Sequence, residues 1–599
     1  MGNACCKNTT NVEDTNIVKS TGEESNERKP ISAVEAAGAA PKEERHRRKG
    51  PHSTVVCLMM ENRSLDNILG YLYTEEELGL TEDKSKVIES AKHFNGVVGK
   101  DLSNPIPKEA QVEGGPTEVK VHPYPNTKES YQFPNPDPGE EWPHINVQLY
   151  NTTIPETNQG KPLDKIEAPY NLPEDVPKVP GMKGFVRDYV EHYELSIDNE
   201  ANPGYPKFED YEHIMGSLTP EHVPVISKLA REFCVCDNWF CAVPSQTFTN
   251  RSFFISAQSA GNVVNGNIDG QDWVKSNTGK TVFDQFNENG ITWAIYYDLE
   301  DIFSATLLIN FPTLKKYLFT NNFRDMEQFE RDCKNGELPQ YVFIEPRLLI
   351  AQNSYHPPWH EFPSDVRAGD EFVKFVYDNI FGGPQADDIL FTITFDEHGG
   401  CYDHVPPPSG VPGPQGDKQQ PGQYGFKFDR LGCRIPTLFI SPYIKKHQVC
   451  SQELWHTSWM RSVRDILFEK EGLKGKFLTE RDRAAPLIPF DKFVDLETKR
   501  EMPQLEMNPD YNPVDVQEAG LLNIHTFAKH LLRAWLVLIR DDSGFPLDHS
   551  NNERNTMVKN IEHILHHPDA SMADYQKYLR ELSLWSQRDN QKQYQGEDA

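Results

Sequence analysis

Five short runs of apolar or β-branched residues, set between stretches of helical periodicity, predict an α/β fold: a mostly parallel sheet with helices on both faces. The first run, Thr54-Val55-Val56-Cys57-Leu58-Met59-Met60, shows no polar alternation, as a strand buried on both faces requires. Thr292 to Tyr297, Tyr341 to Ile344, Ile389 to Phe395 and Pro436 to Ile440 have the same character. Between the runs, Val223 to Phe233, Asp370 to Phe381 and Trp455 to Phe468 space their apolar residues as amphipathic helices do.

The chain's 599 residues suffice for one large α/β domain with insertions, or for two to three ordinary domains. Residues 1–50 are polar and lack apolar periodicity, the mark of a disordered tether. Residues 51–490 hold the strand and helix pattern, interrupted at about 71–180 by a Pro-, Asn- and Glu-rich insertion. Residues 491–599 read as a mainly helical extension, with helices expected at 521–538 and 574–585. Lys and Arg number 61 against 90 Asp and Glu, a formal charge of −29, which argues against a nucleic-acid partner.

No run of 18 apolar residues exists to span a bilayer; Leu531 to Ile539, the most apolar C-terminal stretch, is short and interrupted by Arg533. The opening Met1-Gly2-Asn3-Ala4-Cys5-Cys6 instead offers Gly2 for myristoylation and Cys5 and Cys6 for palmitoylation, with Cys6 where the usual pattern has Ser or Thr. Two acyl chains make a durable anchor. The expected location is therefore the cytoplasmic face of a membrane, the plasma membrane first among them, where thiols stay reduced. The basic run Arg45 to Lys49 is either a solvated charge run or a contact for anionic lipid. Cys234, Cys236 and Cys241 lack the paired spacing of a zinc site and read as small core residues.

Open α/β sheets place their chemistry at the carboxyl ends of strands. The first strand runs into Glu61-Asn62-Arg63-Ser64-Leu65-Asp66, and the Ile389 to Phe395 strand into Asp396-Glu397-His398-Gly399-Gly400-Cys401-Tyr402-Asp403-His404. Adjacent carboxylates at a buried strand mouth repel each other and lose solvation, and a divalent cation resolves both problems. Glu61, Asn62, Asp396 and Glu397 are thus candidate ligands of a hard, oxygen-rich metal site. Pro244-Ser245-Gln246-Thr247-Phe248-Thr249-Asn250-Arg251 sets a hydroxyl beside an amide and a guanidinium. Thr247 is either a loop hydroxyl or a nucleophile activated by metal or base, and Arg251 a candidate grip for phosphate oxygens.

These segments resemble the phosphoesterase family that includes phosphatidylcholine-type phospholipases C, plant non-specific phospholipases C and some acid phosphatases. Met60 to Asp66 resembles its opening motif, Thr247 to Arg251 its T-x-P-N-R motif with Thr249 for Pro, and Asp396 to Pro407 its acidic strand motif. Gly184 to Tyr189, Ile344 to Arg347 and Gly432 to Ile444 follow in the same order, over roughly residues 53 to 485. The resemblance implies a three-layer, alkaline-phosphatase-like α/β/α core. It implies that Thr247 joins Glu61, Asn62, Asp396 and Glu397 around a divalent metal, whether Mg, Ca, Mn or Zn, and attacks phosphorus to form a phosphothreonine. It implies catalytic parts for Asn250, Arg251, His356 and His456, the histidines neutralising phosphate charge or protonating the leaving alkoxide. His360 is the alternative counterpart of His356. His144 follows Asp137-Pro138-Gly139-Glu140, where many members read D-P-G-H, and is a possible substitute. His398 and His404 are candidates for phosphate contact or for bracing the metal loop. The expected activity is that of a membrane-tethered phospholipase C releasing diacylglycerol. The alternatives are a phosphomonoesterase and, from another class, an inactive membrane-tethered binding protein.

Overall fold

The computed structural model of the protein describes residues 52–159, 161, 165–196, 207–265, 271–298, 304–317, 320–348, 352–358, 364–468, 477–512 and 559. The expected tether with Gly2, Cys5 and Cys6, the helices expected at 521–538 and 574–585, and His360 lie outside the described residues.

The central sheet comprises Thr54–Met60 (β1), Cys234–Cys236 (β2), Trp293–Tyr297 (β3), Phe323–Asp325 (β4), Tyr341–Ile344 (β5), Ile389–Phe395 (β6), Thr437–Ile440 (β7) and Gln448–Cys450 (β8). Their order is β8-β2-β7-β6-β1-β5-β3-β4. Every pairing is parallel except the two made by β7, which runs against both β6 and β2. The reversal has a topological cause. The chain returns from β6 to β7 without an α-helical crossover, and a strand that starts where its neighbour stopped must run the other way. β7 begins at Thr437 rather than Pro436, which has no N–H to give a ladder. The strands β2, β4 and β8 escape sequence reading because three residues carry no period.

Helices Pro224–Glu232, Val366–Gly382 and Met326–Asn335 pack in series, and Thr247–Ser256 packs against His456–Leu467 and Ala305–Ile309. The two groups sandwich the sheet, giving the three-layer α/β/α core that the sequence predicts. β1, at its centre, is buried at every position. All described cysteines are free and buried, including Cys234, Cys236 and Cys241.

The insertion is not shapeless. A ribbon of Ser103–Pro105 and Glu118–Lys120 and the helix Trp142–Tyr150 pack with Phe185–Ser196. Ile106, Val119, Ile145, Leu149, Val186 and Tyr189 form a satellite core there. At the far end, Phe493 stacks on Phe439, and Asn508 donates to Tyr131 Oη and to the carbonyl of Glu221.

Candidate active site

β1 and β6 are neighbours in mid-sheet, with Met60 opposite Phe395, so Glu61-Asn62 and Asp396-Glu397 leave the carboxyl edge side by side. Asn62 has φ of +53°, a left-handed conformation that asparagine tolerates better than most residues. Its backbone N–H donates to Asp396 Oδ1 at 3.2 Å, and that oxygen also accepts from Glu397 N at 2.8 Å. Gly399 (φ +61°) then turns the chain back against Asn62, where a Cβ would stand 2.3 Å from the Asn62 carbonyl oxygen. The turn lets Gly399 N donate to Glu397 Oε2 at 2.7 Å.

The helix Thr247–Ser256 starts beside these strand ends. Thr247 is its first residue and keeps 7 % of its surface exposed, so the hydroxyl stands where the helix dipole favours an anion. The preceding Gln246 donates to Glu140 Oε1 at 3.1 Å. Arg251, one turn on and fully buried, donates from Nε to Asp396 Oδ2 at 3.1 Å and from Nη2 to Glu61 Oε1 at 3.4 Å and to the carbonyls of Met59 and Met60. The guanidinium ties both acidic strand ends to the helix Thr247–Ser256, and its buried Nη1 has no hydrogen-bond partner among the described residues. Asn250 likewise shapes the turn: its Oδ1 accepts from Val243 N at 2.9 Å and its Nδ2 donates to Ser245 O at 2.7 Å.

The histidines separate into distinct tasks. His456 is wholly buried, accepts on Nδ1 from the Trp239 indole at 3.3 Å and donates from Nε2 to the carbonyl of Asp396 at 2.6 Å. With both nitrogens engaged it holds the Asp396 backbone from behind. His356 donates from Nδ1 to Pro357 O at 2.6 Å, while its Nε2 lone pair accepts from Asn62 Nδ2 at 2.9 Å. Burial lowers its pKa to about 4, so the imidazole is neutral and suited to accept or coordinate, not to protonate an alkoxide. His398 donates from Nε2 to Gln148 Oε1 at 3.1 Å, and its Nδ1 lies 3.4 Å from Glu397 Oε2. His144 pairs with Asp188 at 2.8 Å and packs its ring against Gly139, where a Cβ would come within 2.4 Å. It braces the Asp137–Glu140 loop and does not replace Glu140. His404 belongs elsewhere, in an ion-pair cluster with Asp66 and Arg434.

Sequence reasoning passed over Asp137 and Glu140 as site residues. Glu140, partly exposed, accepts from Asn62 Nδ2 and from Gln246, and its proton affinity is raised by burial and then by the neighbouring Glu397. Burial also raises Asp137 well above the usual carboxylate range, with Glu140 adding to the shift. The signal was in the chain: a Pro-Gly pair between two acids turns both toward one point.

The donor set at the strand ends fits a divalent cation. Asn62 Oδ1 and Glu397 Oε1 are buried oxygens with no hydrogen-bond partner among the described residues. Burial raises the proton affinity of Asp396 against the pull of Arg251, and that of Glu397 further, with Asp396 beside it. A cation restores the charge balance that lost solvent no longer provides. Glu61, Asp396 and Glu397 do not themselves form a compact ligand triad. Among the described residues, the groups whose ligand atoms lie within 4.8 Å of one another are Asp66, Asp403 and His404, and Asp137, Glu140 and His356.

The sequence pattern described as Phosphoesterase family matches residues 52–468. Non-specific phospholipase C3 of Arabidopsis thaliana is 34% identical over 449 residues, covering 73% of this chain and 72% of that protein. Non-specific phospholipase C5 of the same plant is 33% identical over 446 residues, 72% of each chain. The non-hemolytic phospholipase C of Burkholderia pseudomallei is 26% identical over 357 residues, 50% of this chain and 48% of that one. Among solved structures, a protein of the alkaline phosphatase superfamily from Vibrio parahaemolyticus aligns over 45% of this chain and 65% of that one, at 16% identity and a TM-score of 0.28. That overlap is too slight to carry an argument.

Proposed function

The chain belongs to the phosphoesterase family and is a phosphoric ester hydrolase, and on that premise we propose that it is a phospholipase C acting through a phosphothreonine at Thr247 on the membrane that anchors it. One observation carries the reading. The helix headed by Thr247 sends Arg251 to Asp396 and Glu61 and Gln246 to Glu140, which ties its first turns to the acidic strand ends.

Glu61, Asn62, Asp396 and Glu397 would hold a divalent cation, which in such a site neutralises phosphoryl charge and eases loss of the Thr247 proton. Thr247 Oγ1 attacks phosphorus, and the bond to the glycerol oxygen breaks. Diacylglycerol departs, carrying the proton that Thr247 gave up. Water then attacks phosphorus, the Thr247 oxygen regains a proton, and the phosphorylated head group leaves. Arg251 keeps Asp396 and Glu61 in place while charge moves past them. His456 fixes the Asp396 backbone, and His356 orients the Asn62 amide. Acylation at Gly2, Cys5 and Cys6 would raise the effective concentration of lipid substrate.

The test is hydrolysis of phosphatidylcholine vesicles against a soluble phosphomonoester. Diacylglycerol release is expected to dominate, and Thr247→Ala to abolish it while circular dichroism stays unchanged. Faster turnover of the monoester, or unchanged rates in Thr247→Ala, overturns the reading. Fatty-acid labelling of the intact chain and of Gly2→Ala checks the anchor: label that persists in the variant removes it.

A further inference from the structure

We propose that Arg63 is a positioning residue of the active site: its guanidinium holds the Tyr355 carbonyl and thereby sets His356 against Asn62. Arg63 is wholly buried and follows Asn62 just beyond β1. Its Nε donates to Tyr355 O at 2.7 Å, and its Nη1 to Asn67 Oδ1 at 3.0 Å and to Phe133 O at 2.6 Å. One side chain thus joins the end of β1, the segment that carries His356 and the segment that leads to Asp137 and Glu140. All three acceptors are neutral. Arg251 and Arg434, also buried, donate to carboxylates instead. What Arg63 contributes is therefore its planar fork, whose donors point in fixed directions, more than its charge.

The Tyr355 backbone is what that fork has to hold. Tyr355 has φ of +72°, a left-handed conformation that a bulky residue keeps only where its surroundings over-determine it. They do so here. The ring lies against Gly369, where a Cβ would stand 2.6 Å away, and the Oη donates to Asp370 Oδ1 at 2.5 Å. Asp370 also accepts from Val225 N and Ile226 N, which fixes it to a second helix. One residue earlier, Ser354 O accepts from Glu61 N at 2.9 Å. Asn62 is left-handed too, with φ of +53°. Two unfavourable backbone turns therefore adjoin Arg63, and both serve one contact, Asn62 Nδ2 donating to His356 Nε2 at 2.9 Å. His356 comes directly after Tyr355, so release of the Tyr355 carbonyl swings the imidazole away from the Asn62 amide.

The purpose assigned to Arg63 rests on the chain being a phosphoric ester hydrolase, and not on which ester it takes. Arg63→Met and Arg63→Lys are compared with the unmutated full chain on p-nitrophenyl phosphate and on phosphatidylcholine vesicles, below the melting temperature of each protein. Nuclear magnetic resonance of ¹⁵N-histidine-labelled chain reports which ring nitrogen carries the proton, with the His356 signal assigned through His356→Asn. On whichever ester is turned over, kcat should fall roughly 10- to 100-fold in both variants while KM stays within about threefold. The His356 signal, protonated on Nδ1 alone in the unmutated chain, should become a mixture of both ring forms. Lysine has no donor at the place of Nε, so Arg63→Lys should not rescue. Recovery of kcat in Arg63→Lys would show that charge alone matters and overturns the proposal. A lower melting temperature with kcat and the His356 signal unchanged makes Arg63 merely structural and overturns it too, as does a fall in kcat with that signal unchanged. Should neither variant fold, the unmutated chain decides: a single ring form at His356 upholds the proposal, and a mixture overturns it. If no ester is turned over, the hydrolase reading fails, and the His356 signal still decides whether Arg63 positions the imidazole.

Discussion

Two acidic triads of nearly the same composition lie in this protein, and they differ in what balances their charge. Asp66, Asp403 and His404 surround Arg434, whose Nη2 donates to Asp66 at 2.8 Å and whose Nε donates to Asp403 at 3.0 Å. His404 closes on Asp66 at 2.6 Å and meets Lys100 at 2.9 Å. Asp137, Glu140 and His356 have no such cation in their midst, and Asp137 Oδ1 and the adjoining Asn62 Oδ1 are left without partners among the described residues. Acidic composition therefore does not by itself mark a metal site. The first triad is a lock between β1, the β6–β7 connection and the insertion. The second has the Asn62 amide, donating to Glu140 and His356, in place of a guanidinium.

The comparison can be broken most forcefully at Arg434. Arg434→Met leaves Asp66 and Asp403 buried and unpaired, and a loss of about 3–5 kcal/mol in urea unfolding is expected; a loss below about 1 kcal/mol would mean Arg434 is not what holds the cluster. Next in size is the response to metal. At a hundredfold excess over its dissociation constant, a bound ion stabilises by about 2.7 kcal/mol per site. Glu397→Gln should lose that increment in Mn²⁺-dependent thermal unfolding, and an undiminished shift would place the ion elsewhere.

A smaller effect is pH-dependent. Burial alone would lower the pKa of His144, but Asp188, with help from Glu141 and Glu191, raises it to about 9. A folded value above the ordinary 6.5 means that protonation favours the folded state. Its contribution is complete below about pH 6.5 and fades as pH rises through about 9. The melting temperature should fall across that window and do so less in His144→Asn; equal slopes would show that the pair does not titrate. The smallest effect has the opposite sign to Arg434→Met. In metal-free protein, Asp137→Asn removes an uncompensated buried carboxylate and should leave stability unchanged or raise it by about 1 kcal/mol. Clear destabilisation would show Asp137 to be as structural as Asp403.

What could be read from the chain was whatever depends on local pattern. Val55 to Met60 and Ile389 to Phe395 declare buried strands because only a two-sided interior tolerates unbroken apolar runs. Once they are strands, Glu61, Asn62, Asp396 and Glu397 must crowd one sheet edge, and the Thr247 segment joins them through motif likeness. Direction of approach was not legible. That Arg251 meets a carboxylate rests on Asp396, 145 positions away in the chain, arriving 3.1 Å from Nε. That His456 meets Trp239 and the Asp396 carbonyl was hidden for the same reason. Asp137 and Glu140 lay in a stretch without periodicity, whose destination is set by its own satellite core and by the Gln148 and Asp188 bonds behind it. Sequence fixes which groups are available at a strand end. Only the packing of distant segments decides which charges those groups meet, because the energy of a buried charge depends on neighbours a few ångströms away in space and not on its neighbours along the chain.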